Sequence, residues 1–133
     1  MILNIKKIFL TGIRHSLMEY KQFEIWWVDL NPTRGAEIQK KRPCVIVQSN
    51  LVNKGSRTVL VAPILPNHKN WPFAVNVEPT KNNGLDKERH VNLKQIRAVD
   101  VSRLDNLQGV LEDKYLASMH DAIKLIFGIH AAH

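Results

Sequence analysis

The chain has 133 residues, 44% of them apolar and 23% charged, ordinary values for one globular domain of ~100–200 residues. Disordered, collagenous and repeat-array readings are excluded. A net charge of +7 implies a polyanionic partner and says nothing about fold. Residues 1–17 carry Lys6, Lys7 and Arg14 and no acid. Ile2, Ile5, Ile8, Phe9 and Ile13 line one helical face there, interrupted by Gly12. The segment reads as an extension outside the fold, leaving residues 18–133 as the single domain; a short amphipathic stretch binds a membrane surface only marginally. No small-residue cleavage site follows it, so no secretory signal is expected. No apolar run approaches the ~18 residues of a membrane span. Cys44 is the one cysteine and has no internal disulfide partner, which fits the reducing cytoplasm.

Residues 24–30 are rich in strand formers, with Trp26, Val28 and Leu30 on one face and Trp27 on the other. Asn31-Pro32 stops that strand. A polar, basic loop runs to Arg42. Residues 43–48 form a near-continuous apolar run, expected of a strand buried on both faces. Residues 49–57 connect to a third strand at 58–64. A second polar loop, 66–71, leads to the alternating strand 73–77. Residues 81–84 signal a turn, and two short strands follow near 90–93 and 95–99. The period then changes. Leu111, Tyr115, Met119, Ala122, Ile123 and Ile126 recur at helical spacing, and Gly128 stands where a C-cap falls. Five or six strands followed by one helix predict a mainly β fold: a small barrel closed by a C-terminal helix. Without βαβ alternation, a doubly wound parallel sheet is not expected.

Few residues carry chemistry. No Cys-x-x-Cys or His-Glu-x-x-His occurs, and His130 and His133 read as a solvated tail, so no metal or other cofactor is expected. Cys44, mid-strand, reads as an inert small hydrophobe. There is no phosphate-binding glycine loop and no nucleophile elbow. The 33–42 loop remains. It sets Arg34, Lys40, Lys41 and Arg42 against Glu37. A carboxylate beside guanidinium groups can take a proton from a hydroxyl, and a guanidinium can hold the charge of a pentacoordinate phosphorane. On spacing alone the default reading is plainer: solvated loop charges, with Glu37 paired to one of them. Trp27 and Trp71 can each stack on an unpaired base, although most aromatics in a small barrel are core.

Several segments in order resemble MazF/PemK-type toxins: Trp27 with Val28-Asp29, Pro32-Thr33-Arg34-Gly35-Ala36-Glu37, Arg42-Pro43, residues 58–64, Pro72-Phe73, and residues 84–87 and 91–100. The match runs from about residue 20 to residue 128. The resemblance implies an SH3-like barrel acting as a homodimer. It implies a metal-free, sequence-selective endoribonuclease for single-stranded RNA, silenced by an acidic antitoxin. The substrate's 2′-OH attacks the adjacent phosphate, leaving a 2′,3′-cyclic phosphate and a 5′-OH, which spares DNA. Arg42 matches the catalytic arginine, and Glu37 a proposed general base. Arg34, Lys40, Lys41, Trp27, Gln95, Arg97 and Asp100 are the RNA-binding expectation; a strand-end ion pair is the alternative for Arg97 and Asp100. One position departs. The family has Thr or Ser where this chain has Leu65, so Ser49, Asn67 or a backbone N–H takes over the lost hydrogen bond, or activity is lower. The competing classes are a CcdB-like gyrase inhibitor acting through residues 127–129, and an RNA-binding barrel with impaired catalysis.

Overall fold

The computed structural model describes residues 19–129. The expectations for residues 1–17, His130 and His133 lie outside the described residues. In chain order the elements are β1 (Glu24–Asp29), β2 (Lys41–Ile46), α1 (Asn50–Asn53), β3 (Thr58–Pro66), β4 (Ala74–Val77), β5 (Arg89–Asn92), β6 (Arg97–Asp100), β7 (Leu104–Val110) and α2 (Leu116–Phe127). Single 3-10 turns occupy Leu93–Gln95, Val101–Arg103 and Asp113–Tyr115. No helix among the described residues is long and apolar enough to cross a membrane.

The seven strands pair antiparallel in the order β4-β5-β3-β2-β1-β7, with β6 also on β3. Strand β3 is the pivot. One of its edges pairs β2 over residues 61–63, and the other is shared by β6 at 58–61 and β5 at 64–66. Sharing one edge between two strands folds the sheet over itself into an SH3-like, barrel-like form.

Period-two alternation then fills two cores. Ile25, Val45, Ala62, Ile64, Val75 and Val91 face one side, where Met119 and Ala122 of α2 close the layer. Trp26, Val28, Leu30, Cys44, Ile46, Val59, Val61, Val99 and Leu104 fill the other. Burial on both faces is why the middle of β2 reads as an unbroken apolar run. Gly128 ends α2 at φ +67°, with the Gly128 and Ile129 N–H groups donating to the Leu125 and Lys124 carbonyls.

The structure differs from expectation in several places. The described residues form seven strands, not five or six. Strand β2 starts at Lys41, so Lys41 and Arg42 belong to the sheet rather than the loop. Strand β3 runs on to Pro66, through Leu65. Gln95 sits in a 3-10 turn, not a strand, because the Asn92 side chain accepts the Lys94 N–H and caps that turn. A helical turn, α1, interrupts the 49–57 connector. Leu111 and Tyr115 precede α2, although Leu111 is buried and Tyr115 packs on the same core.

Candidate active site

The end of β1 and the loop after it are fixed by two arginines far away in sequence. Arg97 donates from Nη1 to the Leu30 carbonyl at 2.9 Å. Arg103 donates to the Asp29 carbonyl at 3.0 Å and also to the Asn31 carbonyl. The loop returns through the Lys40 N–H, which donates to Asn31 Oδ1, and Lys40 is held at φ +74°. Within the loop, Glu37 folds back on its own turn. Its Oε1 accepts the Arg34 N–H, and its N–H donates to the Arg34 carbonyl at 3.0 Å. The carboxylate is therefore positioned by backbone and still exposed. Arg34 and Lys40 are exposed on the same loop.

Arg42 lies opposite Val28, sharing its face of the sheet with Cys44 and Ile46. Its Nε donates to the Gln39 carbonyl at 3.2 Å, which ties the guanidinium to the loop. On the same face, Cys44 lies opposite Pro63, and Arg97 lies opposite Val61 two residues back along β3. Burial pushes the Cys44 thiol up to about 12, and the positive charges of Arg97 and Arg42 pull it the other way. Strand register places both arginines on the Cys44 face of the sheet.

Two clefts flank this face. A cavity of about 180 Å³ is lined by Glu37, Ile38, Pro63, Lys94, Gln95 and Arg97 among others. A wider one of about 520 Å³ is lined by Trp27, Lys41, Arg42, Asp86, Arg89 and Gln108 among others. The structure therefore gathers Glu37, Gln95 and Arg97 into one cleft, whereas Arg42 lines the wider one, so the predicted Glu37 and Arg42 pair is not brought into a single cleft. Trp27 and Lys41 line the wider cleft with Arg42. Lys41 Nζ is 3.0 Å from Asp105, and that hydrogen bond with its charge raises the Lys41 pKa. Asp100 stands at the far end of β6, where it accepts the Ser102 N–H and caps the next turn.

Leu65, where the resemblance wants a hydroxyl, is 9% exposed and sits opposite His90. Sequence reasoning missed Arg103 and His90. Neither belongs to a local motif; each acts on backbone carbonyls more than 20 positions away in sequence.

A family model described as PemK-like, MazF-like toxin of type II toxin-antitoxin systems matches residues 21–127. An Endoribonuclease MazF of Staphylococcus saprophyticus is 37% identical over 109 residues, covering 80% of this chain and 90% of that protein. Among solved structures, the Mycobacterium tuberculosis toxin MazF-mt6 superposes with a TM-score of 0.68 at 22% identity, over 81% of this chain and 99% of that one. A mycobacterial endoribonuclease solved with its cognate antitoxin gives a TM-score of 0.71 at 17% identity, over 86% of this chain and 100% of that one.

Proposed function

The chain belongs to the PemK-like, MazF-like toxin family of type II toxin–antitoxin systems, and from that premise we propose that it is an endoribonuclease that cuts single-stranded RNA without a metal. It works as a homodimer in the cytoplasm and is silenced by an acidic cognate antitoxin. The observation that carries the site assignment is that Arg42 and Arg97 lie on the Cys44 face of the sheet, each tied to a backbone carbonyl, and that Arg97 shares the smaller cleft with Glu37.

In this reading the RNA supplies its own nucleophile. The Glu37 carboxylate takes the 2′-OH proton as the 2′-oxygen bonds to phosphorus. The bond from phosphorus to the 5′-oxygen breaks, leaving a 2′,3′-cyclic phosphate, and the departing 5′-oxygen takes its proton from water. A guanidinium is a poor proton donor near neutrality. Arg42 therefore stabilises the phosphorane charge, with Arg97 as a second donor on the same face of the sheet. Both donors are held by backbone carbonyls before substrate arrives, so little reorganisation accompanies reaction.

Gln95 and Lys94 extend the site along the smaller cleft. Arg34 and Lys40 attract phosphates from the loop. Trp27 and Lys41 line the wider cleft, where bases or antitoxin side chains lodge. Asp100 serves the scaffold through its cap. Leu65 removes one hydroxyl donor, a loss of up to ~3 kcal/mol by analogy with an oxyanion hole, and Arg97 offsets part of it.

The test is cleavage of a long single-stranded RNA in EDTA, with the product ends identified. Wild type is expected to leave cyclic phosphate ends. Arg42→Ala is expected to lower kcat about 100- to 1000-fold, the usual effect of removing one charge-stabilising donor. Equal cleavage by both proteins refutes the site. Intact RNA with wild type, with or without gel retardation, refutes the activity.

A further inference from the structure

Outside the arginine face, the loop between β3 and β4 holds an ordered aromatic step. Trp71 and Phe73 stack with ring centroids 5.4 Å apart and planes 20° from parallel. Lys69 Nζ lies 5.2 Å from the Trp71 ring, and Lys94 Nζ lies 5.6 Å from the Phe73 ring. Trp71 is nonetheless 42% exposed.

The loop is fastened at each end. The Lys69 backbone exchanges two hydrogen bonds with the Asn76 side chain, at 2.9 and 3.1 Å. The Phe73 carbonyl accepts the Leu93 N–H, which joins Phe73 to the turn carrying Lys94 and Gln95. Beneath Trp71 lies His90, edge-on at 5.7 Å and 88°. His90 is 2% exposed; its Nδ1 meets the Asn67 carbonyl at 2.8 Å, and its buried Nε2 has no partner among the described residues. A polar ring is thus kept under the indole, with one nitrogen unsatisfied.

An indole that only filled core would be covered, and one that only decorated a loop would not be fastened on both sides. A flat π-face kept open and flanked by two ammonium groups suits an unpaired base with its neighbouring phosphates. The place fits as well. Leu65 lies opposite His90, Pro63 opposite Cys44 and Val61 opposite Arg97, all on one face of β3. Val61 to Leu65 spans about 13 Å at ~3.3 Å per residue. Lys94 belongs both to the aromatic step and to the cleft that holds Glu37 and Arg97.

Resting on the endoribonuclease reading, we propose that the Trp71–Phe73 step with Lys69 and Lys94 is a base-stacking subsite that holds a nucleotide beyond the scissile phosphate.

The probe is a randomised pool of short 2′-O-methyl RNA, which binds but has no free 2′-OH for attack. Its affinity is read by fluorescence anisotropy. Trp71→Ala is expected to weaken binding about 10- to 100-fold, the range for losing one stacked base, whereas Trp71→Tyr, which keeps a π-face, stays within about threefold of wild type. With cleavable RNA, Trp71→Ala is expected to raise KM and leave kcat within about twofold, since the lost contact is made equally in ground and transition states. Wild-type affinity in Trp71→Ala overturns the proposal. So does an equal loss in Trp71→Tyr, which would indicate a packing role. A Trp71→Ala protein that changes sedimentation but not RNA affinity also overturns it, and assigns the step to contact with a second copy. If wild type binds the pool through Trp71 but cuts no RNA, the subsite stands and the cleavage reading falls.

Discussion

Glu112 shows how a single carboxylate couples the fold to pH. Its two oxygens accept the Thr80 hydroxyl and Asn83 Nδ2. Asn83 is fully buried and makes every bond its amide can offer: Oδ1 accepts the Thr80 and Leu85 N–H groups within the 80–85 turn, and Nδ2 donates to the Glu78 carbonyl as well as to Glu112. Partial burial is the largest influence on the Glu112 carboxyl and pushes its pKa up. Hydrogen bonds from Thr80, Asn83, its own backbone N–H and Asn82 together outweigh that, so the group ends below its ordinary 4.5. A depressed folded-state value means that the ionised form stabilises the native state. That stabilisation is complete above pH 4.5 and is lost as pH falls through the folded value. Thermal midpoints measured against pH are expected to fall more steeply below 4.5 for wild type than for Glu112→Gln; parallel curves would refute the coupling. This knot was not legible in the sequence, where residues 81–84 read only as a turn, because Glu112 reaches it from about 30 positions away. Glu37 and Arg42 were legible because their neighbours in the motif are local. Arg103 was not, since its partners are the carbonyls of Asp29 and Asn31.

Among the elements, β7 is the instructive absence from the sequence reading. Leu104, Leu107 and Val110 recur every three residues, a spacing that suits a helix rather than a strand. The β1 ladder explains it: Trp26 pairs with Leu107 and Val28 with Leu104, with register shifts on either side of Trp26. Each irregularity inserts a residue and hides the period-two signal. Glycine makes the pairing possible. A Cβ on Gly109 would sit 2.5 Å from the Asn82 carbonyl oxygen and 2.6 Å from that of Asn83, both backbone atoms that cannot swing away. Gly84 has the same relation to the Gln108 backbone, at 2.6 Å. The 80–84 turn therefore packs directly on β7, where Val110 N–H donates to the Asn82 carbonyl and Gln108 Nε2 to that of Gly84. Gly109→Ala is expected to cost ~1–3 kcal/mol through this clash, readable as a drop of several degrees in Tm. A variant that melts with wild type would mean the turn yields freely. The same contact borders the wider cleft through Gly84 and Gln108, so the loss of stability should come with altered RNA or antitoxin binding.

For the whole molecule, charge and fold divide at different places along the chain. The +7 of the full sequence includes Lys6, Lys7 and Arg14, which precede the family match at residues 21–127. Among the described residues, both cores run from Tyr20 to Ile126. The strand-rich order and the closing helix were legible because burial on both faces of β2 and β3 leaves unbroken apolar runs. The folding over of the sheet was not, because it depends on β3 lending one edge to two strands. The basic loop was legible as charge, but its division was not: Glu37 lines the smaller cleft, while Lys41, paired with Asp105, and Arg42 line the wider one. The family match over residues 21–127 supports the domain proposal, that residues 18–133 are the working unit. Deleting residues 1–17 takes away three positive charges. Thermal midpoint and kcat are expected to stay at wild-type values. The salt dependence of RNA binding is also expected to stay put, because its slope counts phosphates neutralised at the interface rather than total charge. A large fall in Tm would show that the segment packs on the barrel, and a shallower salt slope would show that Lys6, Lys7 or Arg14 contacts the RNA.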